Sequence, residues 1–197
     1  MTAPEGPVSP PEGQVSPERV VAALIARGET VATAESLTGG LIIAGLIDVP
    51  GSSVAVRGGV VAYHPDLKIS LVGVDRAVLG RPGGSVQAEV AAQLARGARE
   101  RFAATWGIGT TGVAGPDPSD GLPVGTVYVS VAGPLTSDGP SGRTVGLHLS
   151  GDRAANRADA VQAALEMLLT ELVGDSPQGR SARASGQVAR GAGGQVS

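Results

Sequence analysis

Apolar residues recur along this chain at two alternating periods. Val20, Val21, Leu24 and Ile25 share one face of a helix that starts at Ser16-Pro17-Glu18-Arg19, with Ser at the N-cap and Pro in the first turn, and Gly28 stops it. Thr30 to Ala34 is short and β-branched, as suits a buried strand, and after Gly39-Gly40 the run Leu41 to Ile47 reads as a buried helix. Gly58 to Tyr63 is a second strand. Pro65 to Val72 and Asp75 to Leu79 predict short helices, and Val86 to Phe102 a long one facing inward through Val86, Val90, Leu94 and Ala98. Trp106 to Thr111, Gly125 to Val131 and Thr144 to Leu149 predict three more strands. A last helix spans Asp152 to Val173, with Ala160, Leu165, Leu168 and Leu172 inward. Strands and helices alternate early and strands then run together, which predicts an α/β sandwich with a mixed sheet. No internal repeat is present.

The ends break this pattern. Residues 1–15 hold Pro4, Pro7, Pro10 and Pro11 with Gly6 and Gly13 and offer little to bury, so disorder is expected there. Residues 174–197 are rich in Gly, Ser, Gln and Ala with Arg180, Arg183 and Arg190, the composition of a flexible basic tail. Residues 16–173 are therefore expected to form one domain, of ordinary size.

Composition removes several chemistries. With 18 acidic and 15 basic side chains among 197 residues, the chain lacks the positive charge of a nucleic-acid binder. The absence of cysteine excludes disulfides, thiolate nucleophiles and cysteine-ligated zinc, and two histidines are too few for a dedicated metal cage. No stretch approaches the roughly 20 apolar residues of a membrane span, and the N-terminus lacks a signal-peptide pattern. A cytoplasmic location, no membrane and no metal are the expectations. Only four residues are aromatic, so Val, Leu, Ile and Ala must build the core.

Two glycine-rich connections follow strands: Ser36-Leu37-Thr38-Gly39-Gly40 and Thr110-Thr111-Gly112-Val113-Ala114-Gly115-Pro116. In open α/β sheets ligands gather at the carboxyl ends of strands, where backbone N–H groups receive anions. Neither loop has the P-loop or dinucleotide spacing, so each alone reads equally as a tight turn. Lys68 is sharper, because fourteen of the fifteen basic residues are arginine. An ammonium can titrate when desolvated and a guanidinium cannot, so a retained lysine is a candidate base; chance retention on a surface helix is the plainer alternative. Hydroxyls for it to activate are Ser52, Ser53, Tyr63, Ser36 and Thr38, and a Ser–Lys dyad is a recognised replacement for Ser-His-Asp. Arg153 and Arg157, four apart at a helix start, share a face that suits a phosphate or carboxylate; pairing with Asp152 or Asp159 is the alternative. His64 and His148 have no companion at metal-ligand spacing. Glu35 flanks the first loop and is placed to orient a hydroxyl or a ribose.

Taken in order, Ala34-Glu35-Ser36-Leu37-Thr38-Gly39-Gly40, Asp48-Val49-Pro50-Gly51-Ser52-Ser53, Arg57-Gly58-Gly59-Val60-Val61-Ala62-Tyr63, Lys68, Thr111-Gly112-Val113-Ala114-Gly115-Pro116, Pro123-Val124-Gly125-Thr126-Val127-Tyr128 and Gly151-Asp152-Arg153 resemble the CinA C-terminal domain family over residues 17–173. The resemblance implies a three-layer α/β/α sandwich, often a homodimer, and a nicotinamide-nucleotide amidohydrolase that converts nicotinamide mononucleotide and water to nicotinate mononucleotide and ammonia in pyridine-nucleotide salvage. The partner it implies is a small-molecule nucleotide, without a cofactor; the alternative is a non-catalytic nucleotide-binding regulatory domain. By the resemblance Ser53 is the nucleophile, Lys68 its base and Tyr63 a lining residue. Ser36, Thr38, Gly39, Gly40, Thr111, Gly112 and Arg153 are then phosphate or ribose contacts. The chain departs from the family pattern at Leu37, His64-Pro65-Asp66, Gln87 and Leu122, and the large N-terminal domain of fused members has no counterpart in it.

Overall fold

The computed structural model describes residues 14–136 and 139–174. Their elements run α1 (Pro17–Arg27), β1 (Val31–Glu35), α2 (Leu41–Ile47), a 3-10 turn (Ser52–Val54), β2 (Val56–Val61), α3 (Pro65–Val72), α4 (Arg76–Leu79), α5 (Ala88–Arg101), β3 (Trp106–Gly112), β4 (Thr126–Thr136), β5 (Gly139–His148) and α6 (Arg153–Gly174). The five strands form one sheet in the order β2-β1-β3-β4-β5. β2, β1 and β3 are parallel, while β4 runs antiparallel to both β3 and β5. This is the mixed sheet the strand pattern predicts.

Each face of the sheet buries its own cluster. On one, Val20, Val21 and Leu24 of α1, Ile42 and Leu46 of α2 and Leu165, Leu168 and Leu172 of α6 pack with Val31, Ile108, Val127 and Val129. On the other, Val72, Val78, Val90, Leu94 and Ala98 pack with Ala32 and Ala34. The result is a three-layer α/β/α sandwich. α5 lies unusually close to β3, because a Cβ at Gly107 or Gly109 would run into the backbone of α5 at Ala95 or Ala91. Sequence periodicity misplaces one side chain: Ile25, assigned to the buried face of α1, is exposed, since it sits about 100° around the helix from Leu24. Ser16 holds the N-cap position of α1 without a side-chain capping bond. β4 and β5 are longer than their apolar runs, because they pair with each other past Ala132, where the pairing of β4 with β3 ends. Val15, within the segment expected to offer little to bury and to be disordered, packs against the first cluster. Residues 1–13 and 175–197, which hold the rest of the two expected tails, lie outside the described residues.

The connections fix where a ligand can bind. β1 leads through α2 to β2 on one side, whereas β2 leads through α3, α4 and α5 to β3 on the other side of β1. The chain direction across the sheet therefore reverses at β1, and the crevice at the carboxyl ends of β1 and β3 is the place where an open α/β sheet receives ligands.

Candidate active site

Two strand ends and one helix converge on that crevice. Ser36 follows β1 directly, and its backbone N–H donates to the Thr110 carbonyl of β3 at 3.0 Å. Behind it Glu35, fully buried, accepts from the N–H groups of Gly40, Ile42 and Ile43 at 2.9, 3.2 and 2.9 Å and from the Thr33 hydroxyl at 3.1 Å. A carboxylate on the first N–H groups of α2 satisfies donors that have no partner within the helix. Glu35 is thus a structural anchor for the Ser36–Gly40 turn, and no hydroxyl of a ligand is needed to account for it. Thr38 is likewise buried, with its hydroxyl 2.8 Å from that of Thr110.

α3 supplies the lysine. His64 and Pro65 start the helix, His64 accepting a long 3.4 Å bond from the Asp66 N–H, so Lys68 on the first turn faces back over the end of β1. Its side chain is fully buried. The ammonium donates to the Ser36 hydroxyl at 3.0 Å, to the Ala62 carbonyl at 2.7 Å and to the Tyr63 carbonyl at 2.9 Å. Burial disfavours the charged form and lowers its pKa from 10.5 to about 8, against the opposing field of Asp120.

Around this pair lies a cavity of about 350 Å³ lined by Ser36, Leu37, Tyr63, Lys68, Thr111, Gly112 and Arg153. Arg153, at the first position of α6, is exposed; it donates to the Gly115 carbonyl at 2.7 Å and reaches 3.5 Å from the Tyr63 hydroxyl. The Thr111 hydroxyl donates to the Ser85 carbonyl at 2.6 Å. Neither Arg153 nor Arg157 makes an ion pair with Asp152 or Asp159 among the described residues. Asp152 instead caps α6 through the Ala155 N–H.

The geometry corrects one assignment. Ser53 is exposed in the 3-10 turn before β2, whereas Lys68 follows the end of β2, so the length of a six-residue strand, about 20 Å, separates them. Ser53 cannot share a proton with Lys68, and the hydroxyl that does is Ser36. Thr38, Gly39 and Gly40 build the turn behind Ser36 and do not line the cavity. Ser36, Lys68, Tyr63, Thr111, Gly112 and Arg153 are brought together. Sequence reasoning missed Ser85, Asp117, Ser119 and Asp120, which also line it. A signal for the last existed: Ser119-Asp120-Gly121-Leu122 is a two-residue hairpin, paired in both directions between Ser119 and Leu122, with positive φ at Asp120 and Gly121.

Comparison with known proteins agrees with this architecture. The family model of the CinA C-terminal domain matches residues 14–172. A CinA-like protein of Frankia casuarinae is 46% identical over 156 residues, which cover 79% of this chain and 34% of that protein. A putative competence-damage inducible protein of Halothermothrix orenii is 43% identical over 153 residues, 77% of this chain and 36% of that one. This chain thus spans about a third of the length of these curated relatives. Among solved structures, the competence/damage inducible protein CihA from Agrobacterium tumefaciens superposes with a TM-score of 0.72 at 34% identity, covering 79% of this chain and 92% of that one. A CinA superfamily protein from Escherichia coli gives 0.70 at 32% identity, over 78% and 89%. The buried Ser36–Lys68 pair and the crevice around it therefore sit on a chain that belongs to the CinA C-terminal domain family.

Proposed function

We propose that the crevice hydrolyses the amide of nicotinamide mononucleotide, with Ser36 as nucleophile and Lys68 as base. The observation that carries this reading is the bonding of the Lys68 nitrogen. Three acceptors surround it, at 2.7, 2.9 and 3.0 Å. When the amine is neutral, the Ala62 and Tyr63 carbonyls hold its two hydrogens, and its lone pair is left directed at the Ser36 hydroxyl. A pKa near 8 keeps about a tenth of the amine neutral at pH 7, in the range useful for general-base work.

The steps balance as follows. Lys68 takes the Ser36 proton as the Ser36 oxygen bonds to the amide carbon; the tetrahedral intermediate collapses, the C–N bond breaks, and the proton leaves with the nitrogen as ammonia. Water then attacks the acyl ester, giving up a proton to Lys68 that returns to the Ser36 oxygen, and the free acid departs. Arg153, exposed at the rim with a guanidinium already oriented by Gly115, supplies a fixed charge for the phosphate. Thr111 and Gly112 line the same cavity and are assigned to the ribose in this reading.

The test is incubation of the protein with nicotinamide mononucleotide while ammonia and nicotinate mononucleotide are followed together. Equimolar release of both is expected. Binding of the nucleotide without either product would favour a non-catalytic nucleotide-binding domain instead. A homodimer, the assembly the family resemblance implies, is part of the same proposal and is checked by sedimentation.

A further inference from the structure

Arg157 is the second of the two arginines that open α6, and it does not face the cavity. Its guanidinium donates through Nε to the Leu37 carbonyl and through Nη2 to the Thr38 carbonyl, both at 2.9 Å. These are successive carbonyls immediately after Ser36. Gly39, at φ +62, leaves the space for this fork, since a Cβ there would lie 3.1 Å from Nη2. The peptide unit is planar and trans, so holding the Leu37 carbonyl toward α6 turns the Thr38 N–H the opposite way. The Ser36 carbonyl accepts from the Gly39 N–H inside the turn, which directs the Leu37 N–H outward. Among the described residues neither the Leu37 N–H nor the Thr38 N–H has an acceptor, although both residues are buried.

We propose that Arg157 is a positioning residue: by holding the Thr38 carbonyl it keeps the Gly39 N–H on the Ser36 carbonyl, and so keeps the Leu37 N–H, on the residue that lines the cavity, as an oxyanion donor for a tetrahedral intermediate on Ser36. The inference rests on the amidohydrolase reading and extends it to a residue outside the cavity. Donors fixed before the reaction stabilise the negative charge that develops on the carbonyl oxygen, whereas a loop free to turn its carbonyls inward opposes it. The two bonds leave from different nitrogens of one planar group, Nε and Nη2, a fixed fork that the single nitrogen of a lysine does not reproduce.

The test compares wild type with Arg157→Lys and Arg157→Ala by two readouts. One is turnover of nicotinamide mononucleotide. The other is affinity for pyridine-3-boronic acid, whose boron accepts the Ser36 oxygen as the proton passes to Lys68, giving a tetrahedral anion without any leaving group. Arg157→Ala is expected to lower kcat at least tenfold with KM within about twofold, to lose boronate affinity by a similar factor, and to regain part of both on addition of guanidinium. Arg157→Lys should fall between and keeps the test in force if the alanine variant fails to fold. Variants that hold the boronate as tightly as wild type overturn the inference, as does a loss that guanidinium does not restore in a folded variant. A wild type that takes up no boronate overturns it too, because there is then no oxyanion site to hold. A wild type that binds boronate at Ser36 yet releases no ammonia overturns the amidohydrolase reading alone, and the loss of boronate affinity in the variants still supports the role of Arg157.

Discussion

Lys68 and Ser36 are 32 positions apart in the chain and 3.0 Å apart in space, joined because the end of β1 and the first turn of α3 meet at one edge of the crevice. Ser53 is nearer to Lys68 in sequence and a strand length away in space. Ser36→Ala should therefore abolish turnover, by about a thousandfold or more, while Ser53→Ala remains near wild type. Lys68→Arg keeps the charge and loses the titration, and should match Ser36→Ala. The double variant Ser36→Ala with Lys68→Arg should be hardly worse than either, and losses that add would rule out a shared proton. Steady-state assays of the four proteins decide it.

With Lys68 as the proposed base, a pKa near 8 sets the sign of the pH dependence. In the proposed mechanism the active form is the neutral amine, so kcat/KM should rise with pH through about 8 and level off above it. Asp120 raises the Lys68 pKa through its negative charge. Removing that charge in Asp120→Asn makes the ammonium easier to deprotonate, and the midpoint of the profile should move to lower pH. A midpoint that stays in place would show that the two groups do not interact in solution.

The sequence made the frame of this site legible and left its wiring hidden. α2 begins at the Gly39-Gly40 turn, and α3 begins at Pro65 and ends at Gly73, because those residues act through local backbone geometry. Lys68 stood out on chemistry alone. Its partner did not, since which hydroxyl meets a lysine depends on strand order and direction, and β1, β2 and α3 meet only once the sheet has assembled. The motif that named Ser53 carried no statement about which end of β2 it occupied. Arg157 was hidden for the same reason, because its two acceptors are backbone carbonyls 120 and 119 residues away, and carbonyls leave no trace in a sequence pattern.

Glu35 should prove a stability residue before it proves anything else. Its buried carboxylate accepts four hydrogen bonds, three of them from the N–H groups that open α2. Glu35→Ala leaves those donors without an acceptor in a site closed to water, at a cost of about 3 kcal/mol. Urea denaturation should show this as a lower midpoint with an unchanged slope. Activity should fall with it, since the same turn carries Ser36. An Ala variant as stable as wild type would mean that water enters behind the loop.

In the proposed reading Arg153 recognises the phosphate at the edge of the crevice. Its guanidinium is anchored by the Gly115 carbonyl at 2.7 Å and reaches within 3.5 Å of the Tyr63 hydroxyl, on an exposed residue. A fixed cation in that position distinguishes a phosphorylated ligand from its riboside, because the charge-assisted contact exists only in the former. Arg153→Ala should weaken binding of nicotinamide mononucleotide about tenfold or more, the scale of a hydrogen bond to a charged group, and leave nicotinamide riboside nearly unaffected. The wild-type preference for the phosphorylated ligand should also shrink as salt is raised, since an exposed charge is readily screened. Calorimetric titration of both ligands at two salt concentrations separates the possibilities. Equal losses for both would assign Arg153 to holding the Gly115 loop in place, and the phosphate would then have to be sought by another group at the rim.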